Sequence, residues 1–145
     1  MNYKRVDDNG FSLVELVIVI AIMAILVALL APQYIKYVEK SKLAADEELL
    51  QNIHDVIAVA ITDENIKDKP LDGMSIAPIQ NMDSARYPDF VAHIMNDLSE
   101  TDLTSLSSRL QSRHYRGQTI SLEISSLQKV TIVVVSNDGN MSLKF

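Results

Sequence analysis

Polar and hydrophobic positions divide this chain sharply. Residues 1–10 are polar and mixed in charge, whereas every residue from Leu16 to Ala31 is apolar. Phe11–Ala31 is 21 residues. A helix of that length, at roughly 1.5 Å per residue, spans about 31 Å and matches a bilayer core of about 30 Å. A secretory signal has a shorter apolar region, about 7–15 residues, closed by a small-x-small cleavage site. The alanines here are Ala21, Ala24, Ala28 and Ala31, and no two are two positions apart. Apolarity all round the helix also argues against an ordinary core helix. The pattern therefore predicts a membrane-spanning helix.

Past Pro32 the helical period continues with a polar face added. Ile35, Val38, Leu49, Leu50, Ile53, Val56, Ile57 and Ala60 recur at helical spacing, while Asp46, Glu47, Glu48, Gln51, Asn52 and Asp55 form the opposite, polar face. This predicts an amphipathic extension of the span, ending near Ile61–Thr62. Asp63–Asn81 is polar, carries Pro70, Gly73 and Pro78, and reads as a loop. Pro88–Leu98 reads as a short helix with Phe90, Val91, Ile94 and Leu98 inward. Thr101 to about Arg113 reads as a second, with Leu103, Leu106 and Leu110 inward and Thr101 or Asp102 as cap.

The C-terminal third switches to strand patterning. Gln118–Ile124 alternates, with Ile120, Leu122 and Ile124 on one face. Lys129–Ser136 is β-branched and nearly all apolar, as a central strand requires. Met141, Leu143 and Phe145 alternate again, after an Asp-Gly turn signal within Asn137–Asn140. The fold class expected is α+β: a long N-terminal helix, half transmembrane and half amphipathic, packed on a small three-stranded antiparallel C-terminal sheet.

Charge and composition narrow the chemistry. The chain is 145 residues long with a formal net charge of −6 and no cysteine. Disulfides and thiol chemistry are excluded, and the acidic balance argues against nucleic acid as a partner. His54, His93 and His114 fall in three separate segments without metal-ligand spacing, and His54 reads as a packed or exposed side chain. The acids of Asp63–Asp72 do not fit the EF-hand pattern; a calcium site there or at Asn137–Asn140 is the outside alternative, with a plain turn the simpler reading of Asn137–Asn140. No G-x-S-x-G elbow or other catalytic arrangement is legible, so no enzyme, metal or cofactor is expected.

Three features call for a reason. Glu15 sits in the first turn of the apolar block. A carboxylate well inside a bilayer costs on the order of 3 kcal/mol, less near the interface. It either snorkels to water or meets a positive partner outside its own span. An α-amino group at the start of the block, with a pKa of about 8, would serve as that partner. Secondly, the alanine steps of three, four and three place small residues on one helical face, which suits close helix–helix packing or simply ordinary alanine usage. Thirdly, Arg109, Arg113 and Arg116, with His114 and Tyr115 among them, form the one basic cluster. It reads either as cations at a helix C-terminus or as a patch for an acidic neighbouring subunit, an anionic surface or DNA.

The residues Gly10-Phe11-Ser12-Leu13-Val14-Glu15, with the apolar run and Pro32 behind them, resemble the type IV pilin and pseudopilin family. Tyr34 and Tyr37 follow as aromatic residues do in many pilins, and the resemblance extends from Phe11 to about Ala60. It implies a leader, residues 1–10, cut by a prepilin peptidase between Gly10 and Phe11, with methylation of the new Phe11 terminus. It implies a transmembrane and assembly helix over 11–32 and a globular head over 33–145. Glu15 would meet the terminal amine of a neighbouring subunit during filament assembly. One departure stands out: Phe11–Ala31 has no glycine, where many pilins carry a helix-breaking one. Pro32, which removes the hydrogen bond to the Ala28 carbonyl, is then the built-in weak point.

Lys4 and Arg5 precede the span and Lys36, Lys40 and Lys42 follow it, so charge alone does not orient the chain. The resemblance implies the leader in the cytoplasm, the head outside, and later a place in an extracellular filament. Implied partners are identical or related pilin subunits, the prepilin peptidase, an assembly platform and membrane lipid. Major pilin, minor pilin and secretion or competence pseudopilin all fit. A different class, an unprocessed membrane-anchored surface binding module, fits the same hydropathy. By the resemblance, in which the usual C-terminal pilin disulfide is often missing in Gram-positive bacteria, the lack of cysteine suits such a setting.

Overall fold

In a computed structural model, residues 11–70, 74–100, 102–125, 127, 129–136 and 141–144 are described. The chain divides into two units, one ending at Val38 and the other beginning at Glu39. Helix α1, Leu13–Thr62, contributes to both.

In the first unit α1 runs through Pro32 without ending. The side chains from Phe11 to Tyr37 are exposed, among them Leu16, Ile20, Leu26 and Leu30. By length and composition this helix is able to cross a membrane.

In the second unit α1 turns one face inward. Leu50, Ile53, Ile57, Ala60 and Ile61 are buried. The expected stripe is trimmed at its start, since Ile35 is 52% exposed. The expected polar face needs one correction: Asp46 is buried, at 2% exposure. The inward residues of α1 join one core with Ile120, Leu122 and Ile124 of strand β2 (Thr119–Ile124) and with Val130, Ile132 and Val134 of strand β3 (Val130–Val135). Phe90, Leu106 and Tyr115 complete it.

The three expected strands are present as β2, β3 and β4, the last spanning Met141–Lys144. All pair antiparallel, with β2 and β3 in unbroken register from Thr119↔Val135 to Ile124↔Val130. The expected Asn137–Asn140 turn lies outside the described residues. A further strand, β1 (Met74–Pro78), pairs with β2 and gives the order β1-β2-β3-β4. It falls inside the segment read as loop. Pro78 disguised it, yet a proline is tolerated on an edge strand, where one N–H side needs no partner.

The short helix appears as α2, Pro88–Asp97, with Phe90, Val91 and Ile94 buried. Its first-turn amides are satisfied from a distance: the Asp68 carboxylate accepts from Asp89 N at 2.7 Å and Phe90 N at 3.0 Å. The second expected helix is instead a 3-10 helix, Leu103–Arg109, and stops short of Arg113. Its serines explain the difference. Ser105 Oγ donates to Asp102 O at 2.7 Å and Ser108 Oγ to Ser105 O at 2.6 Å, local bonds that compete with an α-helical ladder. Asp102 caps it by accepting from Thr104 N at 2.9 Å; the other candidate cap, Thr101, is outside the described residues.

Candidate functional site

The first turn of α1 is built by a reciprocal pair. Ser12 precedes the helix, and its Oγ accepts from Val14 N at 3.3 Å. Glu15 reaches back, its Oε2 accepting from Ser12 N at 2.9 Å. The first helical backbone bond, Leu16 N to Ser12 O, is 3.2 Å. This is a capping box, in which a Ser at the cap and a Glu three residues on satisfy otherwise orphan amides. The signal was present in the sequence as Ser12-Leu13-Val14-Glu15, just ahead of an apolar run, and reading Glu15 only as a charge in lipid passes over Ser12.

The consequence for Glu15 is chemical. One oxygen is fixed by its own backbone. An ionised carboxylate has about four acceptor positions, so capacity remains for a cation from elsewhere. Among the described residues no cation pairs with Glu15. Lys4, Arg5 and Gly10 are outside the described residues. Phe11, beside the expected cut, is 90% exposed. Pro32 sits inside α1, and Ala21, Ala24, Ala28 and Ala31 are all exposed along the helix.

The basic residues of the second unit are not one patch. Arg109 is drawn to Glu100, with which it forms an ion pair. Arg113 and Arg116 lie on a different stretch, the turn that leads to β2. There Arg113 N donates to Glu39, and Arg113 Nε lies 3.9 Å from Glu39 Oε2. Arg116 Nη2 donates to the Gln111 carbonyl at 3.1 Å. The turn itself is fixed by Asp46, whose carboxylate accepts from Gln111 N at 2.9 Å and Ser112 N at 2.8 Å.

His114 sets its ring edge-on to buried Tyr115, centroids 4.6 Å apart. Burial, then the charges of Glu47 and Asp46, raise the Tyr115 phenol above its usual range. His54 Nδ1 lies 3.0 Å from Asp55 Oδ1. Among the described residues no three His, Cys, Asp or Glu side chains gather as metal ligands.

Comparison with known proteins adds a family frame. The model of the prokaryotic N-terminal methylation motif matches residues 5–31. The "Prepilin peptidase-dependent protein A" of Clostridium perfringens is 25% identical over 132 residues, covering 91% of this chain and 89% of that protein. The "Fimbrial protein" of Dichelobacter nodosus is 35% identical over 97 residues, covering 66% of this chain and 59% of that protein. No solved structure matches. These similarities point to a structural protein.

Proposed function

We propose that this chain, a pilin-type protein similar to the type IV pilin and pseudopilin family, is a structural subunit of a type IV pilus-like filament. The precursor is held in the cytoplasmic membrane by the apolar part of α1, with the leader inside and the head outside. A prepilin peptidase cuts between Gly10 and Phe11, and the new Phe11 amine is methylated. Glu15 of one subunit then meets that amine on another. An assembly platform transfers the helix from lipid into a bundle of like helices, where apolar contacts, including the alanine face, hold the filament core.

The observation that carries this reading is a lone carboxylate with spare acceptor capacity at the head of an exposed, uninterrupted apolar helix, within the segment that matches the methylation motif. The pairing offsets a cost on the order of 3 kcal/mol for an unpaired acid within the apolar slab. Pro32 removes one backbone bond from that helix and its ring crowds the preceding turn, together costing about 3 kcal/mol in a helix interior, and so gives a place to yield during transfer.

The capping box makes the test discriminating. Glu15→Gln keeps an acceptor for Ser12 N, since Gln serves in the same box, but removes the charge. Glu15→Ala removes both. Expected are normal cleavage in both variants, read by mass spectrometry as a chain starting at methylated Phe11, and loss of filaments in both. Filaments from Glu15→Gln alone would reduce the residue to a helix cap. A wild-type chain that keeps its first ten residues on the cell surface would instead identify a membrane-anchored binding module.

A further inference from the structure

The second unit presents two charged features, an acidic groove along α1 and a basic turn that follows the 3-10 helix. Residues seven apart share a helical face, at about 100° per residue. Glu39 and Asp46 are such a pair, and together they hold residues 111–113. Glu48 and Asp55 are another. Glu48 is two residues past Asp46, about 200° round the helix, so it is not among the residues that hold that turn.

The Glu48 face is an acidic groove. Glu48, Gln51, Asn52 and Asp55 line an open depression of about 560 Å³, with Ala45, Leu49 and Arg109. Glu48 and Asp55 are exposed. The groove's own cation is committed elsewhere, since Arg109 pairs with Glu100. Among the described residues neither Glu48 nor Asp55 pairs with Lys or Arg, and Asp55 Oδ1 accepts from Gln51 Nε2 at 2.8 Å and lies 3.0 Å from His54 Nδ1.

The other feature is a basic knuckle. Arg113, His114 and Arg116 are exposed; Arg113 is 77% exposed at its side chain although its Nε lies 3.9 Å from Glu39 Oε2, and Arg116 spends one Nη2 bond on the Gln111 carbonyl. Beneath them the backbone is fixed: Ser112 is bound by Asp46, Tyr115 is buried, and Arg116 N donates to Ser112 O at 2.9 Å. The cations therefore project from a turn that is already ordered, which lowers the entropy lost on docking.

We infer that the groove lined by Glu48 and Asp55 docks the Arg113–Arg116 knuckle of a second copy of this chain. This rests on the filament reading and names the contact between neighbouring heads. Charge complementarity selects the occupant. The groove is acidic and the knuckle basic, and both belong to a chain with net charge −6 whose copies otherwise repel. Groove and knuckle are different patches of one head, so unless two copies dock reciprocally, a copy that offers its knuckle leaves its own groove open to a further copy. Such a heterologous contact repeats and produces a helical filament unless its rotation closes a ring.

Because the chain has no cysteine, the contact is testable by site-specific coupling. Glu48→Cys and Arg116→Cys are placed in separately tagged full-length copies, co-expressed, and treated with a flexible bis-maleimide. Expected is coupling between the two variants and none between copies of the same variant. In parallel, Arg113→Glu with Arg116→Glu should lower filament yield about ten-fold or more, and adding Glu48→Arg and Asp55→Arg to the same chain should restore it.

Wild-type filaments with no coupling between the variants would overturn the contact, as would full yield from the Arg113→Glu, Arg116→Glu chain. Full yield from that chain with loss of duplex DNA binding would assign the knuckle to nucleic acid. Coupling in a strain whose wild-type chain makes no filament would keep the contact and remove the filament reading. No coupling and no filament would remove both.

Discussion

Asp46 begins the acidic run Asp46-Glu47-Glu48 and by spacing belongs to the solvent face, yet it is buried. What draws it inward is a pair of backbone amides, Gln111 and Ser112, 65 and 66 residues away. Sequence spacing on one helix carries no trace of donors that distant. A buried carboxylate is tolerable only when such donors satisfy it. Asp46→Asn keeps the shape but sets an amide donor among N–H donors. It should lower the stability of the head by about 1–3 kcal/mol, whereas exposed Glu47→Gln should stay within about 0.5 kcal/mol. Denaturant melts of the full chain in detergent give the comparison. Ser12 and Glu15 are the contrary case. Their bonds are local, so the Ser-x-x-Glu spacing alone encodes them.

At the scale of elements, α1 is one helix with two kinds of surface, exposed and largely apolar to Tyr37 and core-facing from Leu50. Its existence and end point were legible, because apolar continuity and then helical periodicity persist to Thr62. Its energetics split. Ile53 is fully buried, and Ile53→Ala should lower head stability by about 2–5 kcal/mol. Leu26 is 52% exposed, and Leu26→Ala should leave the same melt within about 0.5 kcal/mol while weakening retention in the membrane or filament. Equal losses at both positions would contradict the division of labour. The elements that departed from expectation were β1 and the 3-10 helix. Both are short, so period is weak evidence, and their form follows from a partner strand and from serine side-chain bonds.

At the scale of the whole molecule, acidity and alkalinity should erode the head from opposite ends. The Thr104 hydroxyl and amide hold Asp102 below the usual carboxylate range. The Asn65 amide does the same for Asp63, and His54, then Gln51, for Asp55. These groups bind protons more weakly folded than unfolded. Their contribution is present above about pH 4 and is lost as pH falls through the lowered folded values. Tyr115 is raised, chiefly by burial. Its contribution is full below about pH 10 and is lost as pH rises through the raised value. Thermal melts should therefore show a plateau from roughly pH 5 to pH 9, and Tyr115→Phe should move the alkaline fall to higher pH. An unchanged alkaline limb would remove Tyr115 from that role.

The sequence by itself determined the continuous helix, the three C-terminal strands and the first-turn position of Glu15, because each rests on periodicity or on bonds between near neighbours. Tertiary structure decided what depends on partners far along the chain. Asp46 turned inward to distant amides, Arg109 left the basic cluster for Glu100, and a proline-ended segment became an edge strand. Burial and pairing across the fold outweigh local preference wherever a polar group must leave water or a strand needs a neighbour.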